Sequence, residues 1–435
     1  MTDRIYDRLK SGGGRLAVVG LGYVGLPLAL AFARHVAVTG YDIDPKRVAR
    51  MRCGDDPSGE LPAEAFAGTD ISFGDSAEVL ADACFYIVAV PTPVDAANRP
   101  DLRPLTDAVR SVARALRPGD YVVFESTVYP GCTEEVCVPL LEEISGLRCG
   151  SGFKVGYSPE RINPGDPART VADTVKIVSA CDEEALEEIA AVYSLIVKAG
   201  VHRVKSVKVA EAAKLLENTQ RDVNIALMNE FAMICGRLGI DTYEVLEAAS
   251  TKWNFNMYSP GLVGGHCIGV DPWYLVHKAD AMHCGGRLIP IARAVNDSVP
   301  EYVAASVSRL IGAESDREGR RVLVLGFTFK ENVADIRNTR VADMIASLRH
   351  EGIEVDVADP MADPREVERH YGITLSDESG IGYDAVIVAV AHDCYRPLDA
   401  AWFAARLRKG GVLADLKGIF RHLAEGTWGV RYWSL

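Results

Sequence analysis

A cysteine set among glycines offers the clearest chemical possibility in this chain. The segment GGHCIGVD runs from Gly264 to Asp271 and places Cys267 beside His266 and four residues before a carboxylate. A structural cysteine usually packs in an apolar run, whereas glycines are poor packing neighbours and leave a thiol within reach of a ligand. Ordinary turns also contain this pattern. The rest of the sequence must therefore decide between a nucleophile and a turn residue.

Polar side chains also line up within a long, otherwise apolar stretch. SVKVAEAAKLLENTQRDVNIALMNEFAMICGRLG keeps helical apolar spacing, with no glycine or proline before Gly236, and predicts one long helix joining two domains. Lys214 and Asn218 stand four residues apart on one face, and Asp222 is a further turn along. A solvated face explains most helix lysines. Here the neighbours are nearly all apolar, which favours a functional role for these polar side chains.

A glycine-rich turn near the start predicts a dinucleotide site. In RLAVVGLGYVGLPLALAFA, an apolar strand is followed by Gly20, Gly22 and Gly25 and then by a helix-like stretch. Such a turn brings a pyrophosphate to a helix N-terminus, where free N–H groups favour negative charge. VAVTGYDID ends a second strand at Asp42, where a carboxylate accepts the ribose hydroxyls of NAD and repels the 2′-phosphate of NADP. A glycine-rich packing turn is the alternative, but it leaves Asp42 unexplained.

Two further strands end in small polar residues. CFYIVAVPTP and YVVFESTVYPG are apolar runs of the kind that a parallel sheet buries. Because parallel strands present their carboxyl ends to a ligand, Thr92 and Thr127 are candidate cofactor contacts.

A similar alternation of strands and helices is predicted late in the chain. Apolar strand-like runs alternate there with helical stretches, in RVLVLGFTFK, IEVDVADP, DAVIVAVAHD and GVLADLKG. The pattern predicts a second doubly wound domain whose first turn lacks the full glycine fingerprint. We therefore expect a different nucleotide, held by Lys330 and nearby backbone.

The predicted fold class is α/β, with two Rossmann-like doubly wound domains joined by a long central helix. Residues 1–205 are predicted to form an NAD-binding domain, 206–312 the long helix and the cysteine segment, and 313–435 the second nucleotide-binding domain. With 435 residues, 48% hydrophobic and 25% charged, the chain is long enough for such domains.

Composition excludes several other classes of function. The first fourteen residues are charged throughout and predict a mobile tail, not a signal peptide, and no apolar run approaches membrane-spanning length. A net charge of −13 argues against nucleic acid or an anionic membrane as a partner. The ten scattered cysteines, without a CxxC pair, favour free thiols in a reducing cytoplasm over disulfides or a metal site. His266, His277 and His283 with Cys284 form only a loose cluster.

Together these parts suggest hydride transfer from a nucleotide-linked substrate to NAD. Oxidation of an alcohol to an aldehyde needs only a base and NAD, but continuing to an acid requires an addition to the aldehyde before the second hydride leaves. A thiol provides this as a thiohemiacetal, whose oxidation gives a thioester that water hydrolyses. A cation such as Lys214 would favour the thiolate of Cys267.

Several longer motifs point to one family. GLGYVGLPLA, ESTVYPG, YSPERINPGD, EAAKLLENTQRDVNIALMNE, TKWNFNMYSPGLVGGHCIGVDPWYL and FTFKENVADIRNTR follow one another along the chain. In these motifs and their order the sequence resembles the UDP-glucose/UDP-mannuronate dehydrogenase family over nearly its whole length. Within that family it is similar to the UDP-N-acetylhexosamine 6-dehydrogenases of bacterial polysaccharide pathways, which carry out an NAD-dependent four-electron oxidation of C6.

The resemblance implies roles for individual residues in catalysis. Cys267 would be the nucleophile, and Lys214 and Asn218 would bind the oxygen at C6. Asp271 would orient Lys214 or a water, and Glu160 would assist the hydrolytic water. Thr127 would touch the nicotinamide or that water.

The resemblance also implies binding residues and a homodimer. NAD would be held by Gly20, Gly22, Tyr23, Val24, Gly25, Asp42, Arg47, Thr92, Thr127 and Arg340. The UDP-N-acetylhexosamine would be held by Glu160, Arg161, Lys214, Asn218, Tyr258, Gly264, Arg293, Phe329 and Lys330. Arg293 resembles an arginine that family members donate across the dimer interface.

Departures from the family pattern bear on the substrate. UDP-glucose dehydrogenases typically carry SCFPKD where this chain has HCIGVD, which makes UDP-glucose a poor candidate. GLVGGHCIGVDP with KWNF upstream favours UDP-GlcNAc or its C4 epimer UDP-GalNAc, whereas the UDP-ManNAc branch usually carries IAVD. Two alternatives have a different chemistry: a two-electron dehydrogenase of the 3-hydroxyacid type, which has no need of Cys267, and a nucleotide-sugar sensor without turnover.

Overall fold

The computed structural model of the protein describes residues 4–161, 170–312, 319–424 and 429–435. The chain forms two compact units. Unit 1 contains Met1–Glu217 and Trp273–Cys284, and unit 2 contains Asn218–Pro272 and Gly285–Leu435. Each unit carries its own sheet with helices on both faces, which confirms the predicted α/β class with two doubly wound domains. The three-part division at residues 205 and 312 stays a prediction.

Unit 1 is built on an eight-stranded sheet. Its strands are β1 (Arg15–Val19), β2 (Val38–Tyr41), β3 (Ile71–Gly74), β4 (Ala83–Val88), β5 (Tyr121–Phe124), β6 (Lys154–Tyr157), β7 (Lys176–Ala180) and β8 (Val201–Arg203). They lie in the order β3-β2-β1-β4-β5-β6-β7-β8, and only the β6–β7 pair is antiparallel. The first six strands have the order of a dinucleotide-binding fold. All residues of β1 after Arg15 and all of β4 and β5 are buried, as expected for a sheet covered on both faces.

The helices of unit 1 flank this sheet. They are α1 (Ile5–Lys10), α2 (Gly25–Phe32), α3 (Pro45–Arg52), α4 (Arg103–Ala115), α5 (Val138–Ser145) and α6 (Glu183–Tyr193). Single-turn helical segments occur at Ala63–Phe66, Ala77–Asp82 and, as a π-helical turn before α5, Thr133–Cys137. Asp44 caps the N-terminus of helix α3, because its side chain accepts hydrogen bonds from the N–H groups of Lys46 and Arg47.

The prediction of a mobile tail over the first fourteen residues was wrong. Residues 5–10 form α1, and Ile5 and Leu9, four apart on one helical face, are buried in the core of unit 1. Arg4 forms an ion pair of 2.7 Å with Glu188 of α6. This helix has only two buried apolar side chains among several charged residues. Such a short amphipathic pattern is difficult to recognise in the sequence.

Unit 2 is built on a five-stranded parallel sheet. Its strands are β9 (Arg321–Leu325), β10 (Glu354–Ala358), β11 (Tyr383–Val388), β12 (Leu407–Asp415) and β13 (Arg431–Ser434), in the order β10-β9-β11-β12-β13. The four strands expected from the sequence are present. The edge strand β13 was missed, because its short run RYWS is partly exposed and has no continuous apolar pattern.

The long helix is also present as predicted. The remaining helices are α7 (Val207–Leu238), α8 (Thr242–Ser250), α9 (Asp271–Ala281), α10 (Leu288–Ile311), α11 (Val341–His350), α12 (Pro364–Tyr371) and α13 (Ala400–Arg406), with single turns at Asp393–Tyr395 and Arg421–Leu423. Helix α7 passes through Gly236 and ends at Leu238. Its residues up to Glu217 belong to unit 1 and those from Asn218 to unit 2.

Candidate active site

The glycine turn after β1 distinguishes glycines required by the fold from one that is not. Gly20 has φ +90°, and a Cβ there would lie 2.8 Å from the carbonyl oxygen of Ala89. A Cβ on Gly25 would lie 1.8 Å from the carbonyl oxygen of Gly20, so both positions exclude side chains. A Cβ on Gly22 would meet no atom of the described residues within 4 Å. The open space beside Gly22 fits the close approach of a pyrophosphate, as predicted for NAD.

Asp42 and Arg47 are both anchored to the backbone of this turn. The Asp42 carboxylate accepts hydrogen bonds from Leu21 N at 2.9 Å and from Asp44 N at 3.0 Å. The Arg47 guanidinium donates to Leu21 O at 3.1 Å. A carboxylate has about four acceptor positions, so Asp42 retains capacity for the hydroxyls of a ribose. The two predicted cofactor residues Tyr23 and Val24 lie in the same turn, directly before α2.

The carboxyl ends of β4 and β5 meet as the sequence predicts. The Thr92 hydroxyl donates to the carbonyl oxygen of Thr127 at 2.7 Å. The hydroxyl of Tyr274, a buried residue of α9, donates to the carbonyl oxygen of Thr92 at 2.8 Å. Thr92 follows β4, which lies beside β1, and Thr127 follows β5, the next parallel strand, so both are at the edge of the sheet where the glycine turn lies.

Glu160 and Arg161 are held in unit 1 by different partners. The Glu160 carboxylate accepts from Arg161 N at 2.6 Å and lies 3.3 Å from Lys176 Nζ. The Arg161 guanidinium is 2.7 Å from Glu217 Oε1 of α7 and donates to Val175 O. Lys214, one turn earlier on α7, is buried. The rest of this motif, residues 162–166, lies outside the described residues.

In unit 2, Asn218 and Asp271 form a direct side-chain contact. Asn218 Nδ2 donates to Asp271 Oδ2 at 2.5 Å. Asp271 is buried and begins α9, and its N–H donates to the carbonyl oxygen of Cys267 at 2.8 Å. Asp271 therefore contacts α7 through its side chain and the cysteine segment through its backbone N–H. Whether it also orients Lys214 stays a prediction.

The glycines before Cys267 have a steric explanation. A Cβ on Gly264 would lie 2.5 Å from the carbonyl oxygen of Asn338, and a Cβ on Gly265, which has φ +84°, would lie 2.8 Å from the ring of Phe329. Only glycines allow this close packing. The packing brings the partly exposed Cys267 segment against Phe329, a predicted substrate residue, whose ring lies 5.7 Å from Lys330 Nζ.

His266 does not supply a cation to the neighbouring thiol. Burial, and secondarily the charge of Arg337, lower the pKa of His266 to about 4 despite the opposing effect of Asp335. The imidazole is therefore neutral at neutral pH. A positive charge that stabilises a Cys267 thiolate must come from another group.

The two predicted arginines of unit 2 share one carboxylate. Arg293 is completely buried, with Nη1 2.6 Å from Asp222 Oδ1, and its Nη2 contacts Asp297. Arg340 Nη2 lies 2.5 Å from the same Asp297 oxygen. In this conformation the Arg293 guanidinium is enclosed within unit 2. Its reach into a partner's site stays a prediction, whereas Arg340 is partly exposed.

Tyr258 belongs to a small apolar cluster of unit 2. It packs with Phe255 against the buried side chains of Met228, Tyr243 and Leu246. Its contact with substrate stays a prediction.

Unit 2 contains a similar glycine turn, but the carboxylate that follows its second strand already accepts hydrogen bonds from the protein. Gly326 follows β9 with φ +90°, as Gly20 follows β1. Asp359, after β10, accepts hydrogen bonds from the backbone N–H groups of Phe327, Thr328, Met361 and Ala362. His392 Nε2 is a further partner at 3.2 Å, and the Asp359 side chain is inaccessible to solvent. This carboxylate has no capacity for a ribose, which supports a ligand other than a dinucleotide.

His392 ties together the turn that carries Phe329 and Lys330. Its Nδ1 accepts from Asn332 N at 2.9 Å, so a ring proton is on Nε2, near Asp359 and the Thr328 hydroxyl. Sequence reasoning missed His392, Asp359, Lys176 and Glu125. A polar residue directly after a buried strand was a usable signal for Asp359 and Glu125, whereas His392 lies four residues beyond the end of β11 and Lys176 lies inside β7.

The described residues contain no group of three histidine, cysteine or acidic side chains arranged to hold a metal ion. All ten cysteines are described, and none is in a disulfide. In the described part of the chain, no helix is both long and apolar enough to cross a membrane.

The fold and the glycine turn with Asp42 define a protein of the dinucleotide-binding α/β class. Three family models match the chain: the NAD binding domain, the central domain and the UDP binding domain of the UDP-glucose/GDP-mannose dehydrogenase family, at residues 14–197, 208–298 and 323–422. The chain belongs to this family and is an NAD-dependent nucleotide-sugar dehydrogenase.

Similar proteins support this placement along the whole chain. Protein CapL of Staphylococcus aureus is 48% identical over 422 residues, covering 97% of this chain and 99% of the relative. UDP-N-acetyl-D-glucosamine 6-dehydrogenase of Pseudomonas aeruginosa is 47% identical, covering 93% and 96%. Among solved structures, UDP-D-ManNAc dehydrogenase of Pyrococcus horikoshii superposes with a TM-score of 0.85 at 30% identity, covering 97% and 98%.

Proposed function

We propose that the protein oxidises C6 of a UDP-N-acetylhexosamine to the uronic acid in two successive NAD-dependent steps. We favour UDP-GlcNAc over its epimers as the substrate. The observation that carries this proposal is the linked arrangement of Asn218, Asp271 and Cys267 in unit 2. It links the backbone of the partly exposed Cys267 to an amide from the long helix, and a two-electron dehydrogenase or a sensor has no need of a cysteine held in this way. NAD, when bound, accepts one hydride in each step.

The side chains then have distinct roles. Lys214 and Asn218 bind the oxygen at C6 and stabilise negative charge that develops on it. Cys267 adds as a thiolate to the aldehyde, giving a thiohemiacetal whose C6 hydrogen leaves as the second hydride, so that a thioester remains. Water adds to the thioester carbonyl, Glu160 takes a proton from this water with Thr127 nearby, and the Cys267 thiolate leaves. The sum is one alcohol and one water converted to a carboxylic acid with two NAD reduced.

The substrate assignment is supported by the relatives. Two relatives named UDP-N-acetyl-D-glucosamine 6-dehydrogenase are 46–47% identical to this chain, whereas five relatives named UDP-N-acetyl-D-mannosamine dehydrogenase are 31–33% identical. We therefore favour UDP-GlcNAc, with UDP-GalNAc and UDP-ManNAc as alternatives. The product would serve bacterial surface polysaccharide synthesis.

The proposal includes a homodimer in the cytoplasm. Large apolar side chains are exposed on the later turns of α7, at Leu227, Ile234 and Leu238, and a second copy of the chain would cover them. Ten cysteines without a disulfide suit a reducing compartment. Sedimentation equilibrium of the wild-type chain and of Leu227→Asp tests the dimer, since the charged variant is expected to be monomeric.

The decisive experiment counts NADH per molecule of limiting substrate with UDP-GlcNAc, UDP-GalNAc, UDP-ManNAc and UDP-glucose. We expect two NADH and an acidic product from UDP-GlcNAc. In parallel, Cys267→Ser is expected to lose acid formation while it still binds NAD and UDP-GlcNAc. One NADH with a stable aldehyde, or full activity of Cys267→Ser, would contradict the covalent mechanism, and two NADH from UDP-GalNAc alone would reassign the substrate.

A further inference from the structure

A buried ion pair adjoins Glu160 within unit 1. Lys176, the first residue of β7, is 4% exposed, and its Nζ lies 2.6 Å from Oε2 of Glu125 and 3.3 Å from Oε2 of Glu160. Glu125 directly follows β5 and is 2% exposed, and it accepts a hydrogen bond from the Tyr193 hydroxyl. Four side chains from separate parts of the chain thus form one connected network, of which only Glu160 has a role in the proposed chemistry.

Fold stability alone is a weak explanation for this network. Removing a lysine and a carboxylate from water costs several kcal/mol per ion in real proteins, and apolar replacements of buried ion pairs are often neutral or stabilising. Burial raises the pKa of Glu125 to about 7, against the attraction of Lys176. We therefore expect the buried pair of Lys176 and Glu125 to have a specific function.

The contacts of Glu160 indicate that task. Its Oε1 accepts from Arg161 N at 2.6 Å, and its Oε2 faces Lys176 Nζ. One donor belongs to the main chain, and the other is fixed by the strand β7 and by Glu125. Both oxygens of Glu160 are therefore oriented by groups that have little freedom to move.

We propose that Lys176 and Glu125 are positioning residues for Glu160 in thioester hydrolysis. This role rests on the proposed function. Lys176 fixes the direction of the Glu160 carboxylate, while Glu125, supported by Tyr193, fixes Lys176. In the step concerned, a water oxygen bonds to the thioester carbon, one water proton passes to Glu160, and the bond from carbon to the Cys267 sulfur breaks. No electrons are exchanged with a cofactor in this step.

The test compares Lys176→Met with Lys154→Met in the full-length protein. Lys154 on β6 is a matched control, because its Nζ also bridges two carboxylates, those of Asp182 at 2.8 Å and Glu184 at 3.0 Å. We expect Lys176→Met to lower kcat about 100-fold with KM values for NAD and UDP-GlcNAc within about two-fold. Hydrolysis would limit turnover, so a burst of two NADH per active site and an acyl group on Cys267, detected by intact-protein mass, should appear. Lys154→Met should keep the wild-type kcat.

A second variant separates positioning from stability. Glu125→Gln with Lys176→Met removes both charges of the pair and leaves no unpaired buried lysine or carboxylate between them. The proposal predicts that this double variant folds, remains slow and accumulates the acyl enzyme. Wild-type kcat in the double variant, or a slow Lys176→Met without burst and acyl enzyme, would overturn it. Failure of the wild-type chain to produce two NADH from any UDP-N-acetylhexosamine would instead contradict the proposed function itself.

Discussion

Asn218 Nδ2 and Asp271 Oδ2 are 2.5 Å apart, which links the long helix α7 to the first residue of α9. Both side chains belong to unit 2, and Asp271 also donates its N–H to the carbonyl oxygen of Cys267. The orientation of the Asn218 amide is therefore coupled to the backbone of the cysteine segment. This contact gives Asn218 one fixed direction before any substrate binds.

Replacing Asn218 with alanine should reduce turnover without disturbing cofactor binding. In the proposed mechanism the Asn218 amide stabilises charge on the C6 oxygen, so kcat of the variant is expected to fall about 100-fold while KM for NAD is unchanged. The matched control is Asn224→Ala, because Asn224 lies on the same helix and, among the described residues, its amide donates only to the carbonyl oxygen of Gln220. Steady-state kinetics with varied NAD and UDP-GlcNAc checks this. Equal losses in both variants would remove the proposed role.

Two alanine substitutions in the glycine turn should separate folding from cofactor binding. Gly20→Ala places a methyl group against Ala89 O at positive φ, and we expect it to lower the free energy of unfolding by about 1–3 kcal/mol. The methyl group of Gly22→Ala would meet no atom within 4 Å in the part of the chain that the structure describes, so the stability of this variant should stay within about 0.5 kcal/mol of wild type. Its KM for NAD should rise about ten-fold or more. Thermal unfolding and NAD kinetics measure the two effects, and an unchanged KM for Gly22→Ala would argue against a pyrophosphate at this turn.

Stability should depend on pH through His266. Its pKa is lowered to about 4 in the folded chain, whereas an unfolded histidine titrates near 6.5. Between these values the unfolded chain binds a proton that the folded chain does not, so folding is weakened as the pH falls from about 6.5 to 4. Over this pH range the free energy of unfolding falls by about 3 kcal/mol through His266 alone. Urea unfolding at several pH values should show a shallower decline for His266→Gln than for wild type or for a variant of the exposed His350, His350→Gln.

Substituting His392 should weaken binding of the UDP portion selectively. His392→Phe leaves Asn332 N without its acceptor and removes one of several partners of the buried Asp359 carboxylate, which costs about 1–3 kcal/mol of stability and loosens the turn that carries Phe329 and Lys330. We expect KM for UDP-GlcNAc to rise about ten-fold with KM for NAD unchanged. His392→Asn retains an acceptor for Asn332 N and should recover part of the loss. Equal affinity for UDP in calorimetry of all three proteins would contradict the role.

The sequence predicted those elements whose pattern is local. Helix α7 was evident because its apolar spacing continues for many turns, and the glycine turn was evident because strand, glycines and Asp42 follow in register. The buried sheets were evident because parallel strands are continuous apolar runs.

The missing features depend on partners that are distant in sequence. Nothing near Arg293 indicates that its guanidinium is enclosed by Asp222, which lies 71 residues earlier. Likewise Lys176 is one lysine in an apolar strand, and its contact with Glu125 spans 51 residues. The clash that requires glycine at position 265 is with Phe329 of another segment, so the sequence suggested a reachable thiol but not the reason for its glycines.

The filled carboxylate of Asp359 limits how this protein can be redesigned. Unit 2 already has the strand, the Gly326 turn and an acidic residue after the second strand, so it resembles a template for a second cofactor site. Removing His392 would not complete it, since four backbone N–H groups would still occupy the oxygens of Asp359. To gain the ligand preference of the first turn, an engineer would have to rebuild the main chain on both sides of this residue.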